Sequence, residues 1–305
     1  MTSWFIILCI TALVAGIYLF ISLRERTLRR EKEHLEQKVE ERTAEVVSKS
    51  LELEEKNRDT TASIRYAERI QAAMLPPENF FNDTFVLFMP RDIVSGDFYW
   101  MHDSGFKQYI AAVDCTGHGV PGAFMSIIGH NSLNKIVRES GITKPSDILD
   151  HLNIEVVHAL LQRSEKAVRD GMDISVISYD ILEHTVEYAG AYQPLYHVRD
   201  GKVTIYRGDR FPIGMIDGQA RKSFTNNRVD VKPGDMLYIF TDGFADQFGG
   251  EHEKKFKTIN IRSLLAEIHM LPVEEQKRRL EKAIREWMGG LAQVDDILFI
   301  GTRVP

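Results

Sequence analysis

Residues Trp4–Leu23 (WFIILCITALVAGIYLFISL) carry no charged side chain. A run of this kind has no natural place on a water-soluble surface, and it is about as long as a helix must be to cross a bilayer. Arg24, Arg26, Arg29, Arg30 and Lys32 follow at once, offset only by Glu25 and Glu31. A basic flank of this sort belongs on the cytoplasmic side, so the pattern predicts a single transmembrane helix within residues 1–23, in the inner (cytoplasmic) membrane, with the rest of the chain cytosolic. A signal peptide is the alternative. Its basic residues would precede the apolar segment, and a small-x-small cleavage site would follow; neither is present.

Residues 24–62 are dominated by interleaved acidic and basic side chains. Val39, Val46 and Leu53 recur every seven residues, with Leu35 a short step before them, while Arg42, Lys49 and Lys56 occupy the complementary positions. This thin heptad seam predicts a weak parallel coiled coil, and hence a homodimer formed through the stalk. A solitary exposed helix is the alternative. Helical periodicity continues to Leu75, and Pro76-Pro77 then stops it. In residues 63–77, Ile64, Ala67, Ile70, Gln71, Met74 and Leu75 share one face, which predicts a short docking helix between the stalk and a globular domain at 78–305.

The chain has 305 residues, a formal charge of −6 and no basic patch interleaved with aromatics, which argues against a nucleic-acid partner. Its two cysteines, Cys9 in the apolar run and Cys115 far downstream, offer no disulfide framework. Short β-type runs are expected at Thr84–Phe88, Gln108–Val113, Ile174–Tyr179, Thr185–Tyr188, Leu195–Val198, Val203–Tyr206, Met236–Phe240 and Ile297–Gly301. The turn Asp200-Gly201 favours an antiparallel hairpin. Helices are expected near Gly122–Glu139, Ser146–Ser164 and Arg262–Met288, with Pro272 suited to a helix start. Runs of strands separated by helices predict an α+β layered sandwich.

Aspartates beside glycines mark the chemistry. Asp97 follows Ser95-Gly96 and Asp114 precedes a Gly-His-Gly segment. Asp242 precedes Gly243, and Asp295-Asp296 precede a final apolar run. Singly, each fits a turn or a cap. As a set they point to a shared site, because several carboxylates gathered at strand ends need a cation among them. Oxygen donors of this kind suit a hard divalent metal. Two such ions could activate water against a phosphoryl group, as in a two-metal hydrolase.

The segments Ser95-Gly-Asp97-Phe-Tyr-Trp, Asp114-x-x-Gly-His-Gly-x-Pro-Gly-Ala123, Phe211-Pro-Ile-Gly-Met, Gly234-Asp-x-Leu-Tyr-x-Phe-Thr-Asp242-Gly and Asp295-Asp-Ile resemble, in order, those of the stage II sporulation protein E phosphatases. These are a bacterial branch of the metal-dependent type 2C serine/threonine protein phosphatases. The resemblance covers about residues 68–303. It implies an αββα sandwich of two antiparallel sheets flanked by helices, with a binuclear Mn²⁺ or Mg²⁺ centre. It also implies hydrolysis of phosphoserine or phosphothreonine on a small anti-anti-sigma-like regulator by a metal-activated water. Carried over by position, Asp114 bridges both metals and the Cys115 carbonyl adds a ligand. Asp242 and Asp295 hold one metal, Asp97 serves the outer shell or a weaker metal, and Asp296 is the less suited of its pair. Asp173 is assigned an accessory metal or a hydrogen bond. His118 is either a general acid or a structural turn residue, and Arg91 either contacts phosphate or is a surface residue. The docking helix at 63–77 is implied to be a regulatory switch. One departure stands out: Ala189-Gly-Ala-Tyr-Gln-Pro-Leu195 replaces the family's histidine-proline version and marks a subgroup with its own substrate.

Three other classes stay open on the residues alone. A silent scaffold would bind a phosphorylated partner without hydrolysing it, but the intact aspartate set argues against that. A membrane sensor kinase would need a nucleotide loop and a phosphoacceptor histidine near residues 64–75, and neither is found. A metal-dependent phosphodiesterase would differ in substrate.

Overall fold

The strands of this chain are buried on both faces, which is why they appear in the sequence as continuous apolar runs. The computed structural model describes residues 3–78, 80–161, 170–214 and 223–305. The expected Met of the Phe211-Pro-Ile-Gly-Met segment and the last residues of the helix expected at Ser146–Ser164 lie outside these. The chain divides into two units, Met1–Ser63 and Ile64–Pro305.

The first unit is made of most of one helix, α1 (Ser3–Met74), whose residues Trp4 to Leu23 are uncharged and largely exposed. Val39, Val46 and Leu53 are exposed as well. Intrahelical pairs such as Arg42–Glu45, Lys49–Glu45 and Lys56–Glu52 decorate it. Exposed pairs of this type contribute about 0.3–0.5 kcal/mol each, so apolar contacts along the seam would have to supply any stable pairing.

The second unit begins with the last turns of α1. It continues through β1 (Thr84–Met89), β2 (Phe98–Asp103), β3 (Lys107–Cys115), α2 (Gly119–Asn134) and α3 (Pro145–Leu161). Then come β4 (Met172–Asp180), β5 (Thr185–Ala191), β6 (Leu195–Arg199), β7 (Lys202–Tyr206), β8 (Asn227–Val229) and β9 (Met236–Phe240). A short α4 (Gly243–Asp246), the two-residue strands β10 (Phe248–Gly249) and β11 (Lys254–Lys255), α5 (Thr258–Ile268), α6 (Val273–Met288) and β12 (Ile297–Arg303) complete it.

Two antiparallel five-stranded sheets result, ordered β1-β12-β9-β6-β7 and β2-β3-β4-β5-β8. Three apolar layers separate the elements. Phe98, Trp100, Val113, Leu133, Leu149 and Ile174 fill the space between the second sheet and α2 and α3. Phe85, Tyr238, Phe299, Ile261, Leu280 and Ile284 do the same between the first sheet and α5 and α6. Val86, Tyr99, Ile110, Ile177, Ile239 and Leu298 lie between the sheets. The fold is therefore α+β, an αββα sandwich.

Several boundaries differ from the expectations. The single helix expected at Arg262–Met288 is two, α5 and α6, because the chain turns at His269–Pro272 and Pro272, which cannot donate to the preceding turn, caps α6. Strand β2 was not expected, because its Trp100-Met101-His102 interior lacks a clean period-two pattern, yet both its faces are covered. Helix α2 starts earlier, at Gly119, and the turn at Lys135–Glu139 is a π-helix. On the docking face of α1, Ile70 is exposed, and Gln71 is the one buried residue.

One polar network ties the first sheet to its loops. Asp235, 4% exposed, accepts from Arg199 Nε and Nη2 and from the Lys232 N–H, and contacts His197 Nε2 at 2.8 Å. Burial alone would raise the Asp235 pKa. The hydrogen bonds from Arg199, Lys232 and His197 outweigh it and hold the pKa below the usual value. The carboxylate therefore stabilises the fold above its unfolded pKa, and that contribution fades as the pH falls through the lower folded one. Asp235→Ala is expected to lower the unfolding free energy by about 3 kcal/mol in urea titrations at pH 7, since it leaves the arginine and histidine without their shared acceptor.

Candidate metal centre

Strand alternation decides where each acidic residue points. Along β3, Tyr109, Ala111, Val113 and Cys115 face α2 and α3, whereas Ile110 and Ala112 face the other sheet. Asp114 continues the second set, so it points between the sheets. Asp173 pairs directly with Asp114 across β4. Asp97 stands on the other side of β3, just before the Phe98↔Val113 pair. It opens β2, where a position at the end of an apolar strand was expected. In the facing sheet, Asp242 follows β9 and Asp295-Asp296 precede its antiparallel neighbour β12, with Phe240↔Phe299 in register. β3 lies against both β9 and β12, so the two sheets bring these carboxylates to one end of the layer between them.

The cluster runs from buried to open. Asp97 is 3% exposed, Asp114 and Asp173 are half-buried, and Asp242 and Asp295 face solvent. Asp97 Oδ2 is buried with no hydrogen-bond partner among the described residues. Burial, then Asp114, Asp296 and Asp295, push the Asp97 carboxyl well above its usual pKa, with the Thr241 hydroxyl pulling the other way. Burial, followed by Asp242, Asp173 and Asp295, does the same to Asp114. Asp173 is pushed up to about 6 by burial and Asp242. Asp242 is raised by partial desolvation and by Asp295, although its side chain stays open to water.

These groups fit a hard divalent cation in chemistry. They are oxygen donors, they raise one another's pKa, and one buried oxygen is orphaned. No three His, Cys, Asp or Glu side chains among the described residues stand close enough to hold a cation between them as they are. Coordination would therefore require the carboxylates to turn inward. The buried Cys115 has only its carbonyl to offer, since burial first, and then Asp114, keep its thiol protonated.

Asp296 has a different occupation. Its Oδ1 accepts the Arg91 N–H at 2.7 Å and its Oδ2 accepts the Gly96 N–H at 2.8 Å, so it ties the loop carrying Asp97 to the start of β12. The backbones in this region approach too closely for a side chain. A Cβ on Gly243 would lie 2.0 Å from the Asp296 carbonyl, and one on Gly122 would lie 2.3 Å from the Gly117 carbonyl. This explains why glycine follows Asp242 and why the segment after Asp114 is glycine-rich.

His118 and Arg91 form a separate group at the rim. His118 Nδ1 contacts Asp92 Oδ2 at 3.1 Å and Arg91 Nη2, while Arg91 Nη1 donates to the Val294 carbonyl. Arg91 is thus anchored, where a free surface residue was the alternative.

Several positioning residues carried no sequence signal beyond being polar in an apolar setting. Gln71 Nε2 donates to the Ser95 carbonyl and to Ser126 Oγ, and the Ser95 N–H donates back to Gln71 Oε1. Gln247 donates to the Ala292 carbonyl and accepts the Val294 N–H, which fixes the loop before Asp295. Thr241 Oγ1 accepts the Leu298 N–H and so binds β9 to β12 just before Asp242.

A family profile described as stage II sporulation protein E (SpoIIE) matches residues 104–305, which include Asp114, Asp173, Asp242 and Asp295 and begin after Asp97. No curated protein matches the chain. Among solved structures, the SiaA-PP2C domain of Pseudomonas aeruginosa is similar at 31% identity, covering 82% of this chain and 98% of that one, with a TM-score of 0.74. The PP2C phosphatase domain with a regulatory fragment of the cell fate determinant SpoIIE from Bacillus subtilis shares the fold at 21% identity, over 73% of this chain and 63% of that one, with a TM-score of 0.59. RsbX in complex with magnesium shares it at 14% identity, over 73% of this chain and 94% of that one, with a TM-score of 0.52.

If the cluster takes up a cation, Mn²⁺ at about 100 times its Kd should stabilise the protein by about 2.7 kcal/mol. Asp114→Asn should gain nothing from Mn²⁺. Without metal it should melt above the wild type, because one of the repelling charges is gone. Thermal denaturation with and without Mn²⁺ checks both.

Proposed function

The chain belongs to the stage II sporulation protein E family of PP2C-type serine/threonine phosphatases, metal-dependent hydrolases that act on phosphoproteins in signalling, and from that premise we propose a membrane-anchored enzyme. Its substrate would be phosphoserine or phosphothreonine on a small anti-anti-sigma-like regulator. The observation that carries the reading is the carboxylate cluster between the sheets, with the orphaned Asp97 Oδ2 at its buried end.

In this reading the centre takes two Mn²⁺ or Mg²⁺ ions. Asp114 and the Cys115 carbonyl would help to hold them. Asp242 and Asp295 hold one ion from the facing sheet, and Asp97 and Asp173 serve the outer shell or an accessory ion. When bound, the cations supply an activated water and neutralise charge growing on the phosphoryl group. The chain's own residues set the geometry. Asp296 holds the Asp97 loop through two backbone N–H groups. Arg91, steadied by Asp92 and the Val294 carbonyl, would take a phosphoryl oxygen. His118 engages Asp92 and Arg91 through Nδ1. Its Nε2 could then give a proton to the departing seryl oxygen.

The domain assignment follows the sequence: a transmembrane helix at 1–23, a dimeric stalk at 24–62, a switch helix at 63–77 and the phosphatase at 78–305. The uncharged helical segment Trp4–Leu23 supports the anchor, and the exposed seam Val39, Val46 and Leu53 supports pairing. Regulation would act through Gln71. A shift of the last turns of α1 would release the Ser95 backbone and, through it, Gly96 and Asp97.

Two outcomes are expected. The full chain in detergent should release phosphate from p-nitrophenyl phosphate and from a phosphoserine peptide only with Mn²⁺ or Mg²⁺. Asp114→Asn and Asp242→Asn should lose about a thousandfold in rate, since about 4 kcal/mol of charge stabilisation goes with the cations. Wild-type turnover in chelator, or retained turnover in both variants, would contradict the proposal. Gln71→Ala should raise the Mn²⁺ concentration for half-maximal rate about tenfold, as the loss of about 1.4 kcal/mol of loop-holding hydrogen bonds would give. An unchanged titration curve would remove Gln71 from the coupling.

A further inference from the structure

An open groove of about 460 Å³ lies where β6 and β7 meet α5, lined by Tyr192, Pro194, Tyr196, Arg207, Arg210 and Arg262 together with smaller residues. No acidic residue lines it, although the chain as a whole carries a net charge of −6. All three arginines are exposed, and none makes an ion pair or hydrogen bond among the described residues. The neighbouring acid, Asp209, is already engaged by the Thr225 N–H and hydroxyl. Tyr192 is 50% exposed and holds a left-handed backbone (φ 58°), a conformation uncommon for an aromatic residue.

Strand register brings Tyr192, at the near edge of this groove, within two strands of Asp114. Asp114 pairs with Asp173, and the next pair along, Ile174↔Ala191, puts Tyr192 level with Asp173 on the adjoining strand. Where β5 ends, the segment 209–213 takes its place beside β4. Asp209 bridges Ala191, and Ile213 bridges Met172, the residue before Asp173. Arg210 lies inside that segment. At about 4.8 Å per strand, the near edge of the groove is roughly 10 Å from Asp114. An extended chain covers about 3.3 Å per residue, so a peptide with its phosphoryl group at the cluster would lay residues about three to five positions away into the groove.

We propose that this arginine groove is a specificity subsite that recognises acidic side chains flanking the phosphorylated serine or threonine of the substrate protein. The assignment rests on the phosphatase reading above. Three guanidinium groups with no internal partner, set against two tyrosine rings, offer carboxylates charge-assisted bidentate contacts at little reorganisation cost. The groove borders the Tyr192-Gln193-Pro194 turn, which joins β5 to β6.

The test uses the full chain in detergent with Mn²⁺ and two phosphoserine peptides, with a third bearing Lys used for the charge-reversed variant. The first two are identical except that one carries Asp or Glu, the other Asn or Gln, three to five residues from the phosphoserine on each side. The wild type should favour the acidic peptide about tenfold in kcat/KM, mainly through KM, and the preference should shrink at high salt. R207A/R210A/R262A should raise KM for the acidic peptide to that of the neutral one. R207E/R210E/R262E should turn the preference toward a peptide with Lys at the same positions. Turnover of both peptides by the wild type without preference, or a preference kept by both triple variants, overturns the subsite alone. No Mn²⁺-dependent turnover of either peptide or of p-nitrophenyl phosphate overturns the phosphatase reading and the subsite with it. Loss of binding to phosphatidylserine vesicles by the triple variants, with peptide preference intact, would assign the groove to a lipid surface and overturn the proposal.

Discussion

Carboxylates that repel one another at the end of a buried layer are the constraint around which the catalytic unit is arranged. Asp97 is 3% exposed, has an unpartnered oxygen and faces Asp114. In a low-dielectric setting that arrangement is costly unless protons or cations compensate it. The αββα architecture creates it by simple alternation. One register row of the second sheet aims Asp97, Asp114 and Asp173 inward, and the antiparallel neighbours β9 and β12 bring Asp242 and Asp295 to the same end. Toward its buried end the layer is apolar, so the charges of neighbouring members weigh most on Asp97 and Asp114.

Much of the surrounding structure holds loops, while Asp97 Oδ2 is left without a partner among the described residues. Asp296 spends both its oxygens on backbone N–H groups, and Gln71 and Gln247 bind the strands' entry and exit loops through their amides. Gly122 and Gly243 let those loops pass within distances a methyl group would forbid. The placement of the carboxylates therefore depends on residues outside their cluster. Gln71, near the end of α1, is hydrogen-bonded to the backbone of Ser95 in the Asp97 loop. The arginine groove opens where β6 and β7 meet α5.

The sheet core was legible because strands such as Leu237-Tyr-Ile-Phe240 and Tyr109-Ile-Ala-Ala-Val113 are apolar on both faces and end in acid plus glycine. Asp114, Asp173 and Asp242 could be placed from that pattern and the family's motifs together. β2 escaped because His102 and Asp103 break its alternation, and Asp97 was consequently set at the wrong end of a strand. The break between α5 and α6 was signalled by Pro272, but the helical composition on either side masked it. Gln71 was counted as one member of a helix face, because sequence periodicity cannot separate a buried amide that clamps a loop from an apolar neighbour. The groove was invisible for a different reason: Arg207, Arg210 and Arg262 are scattered along the chain, and only the register of β5, β7 and the 209–213 segment, with α5 packed on β7, gathers them.

The central claim is that two cations share the Asp114 carboxylate between the sheets. Electron paramagnetic resonance of the full chain titrated with Mn²⁺ tests it directly. The account predicts uptake of two ions per chain and a spectrum broadened by exchange between them, as a bridging carboxylate would give. A single isolated-ion spectrum at saturation, or no ordered Mn²⁺ at all, would contradict it.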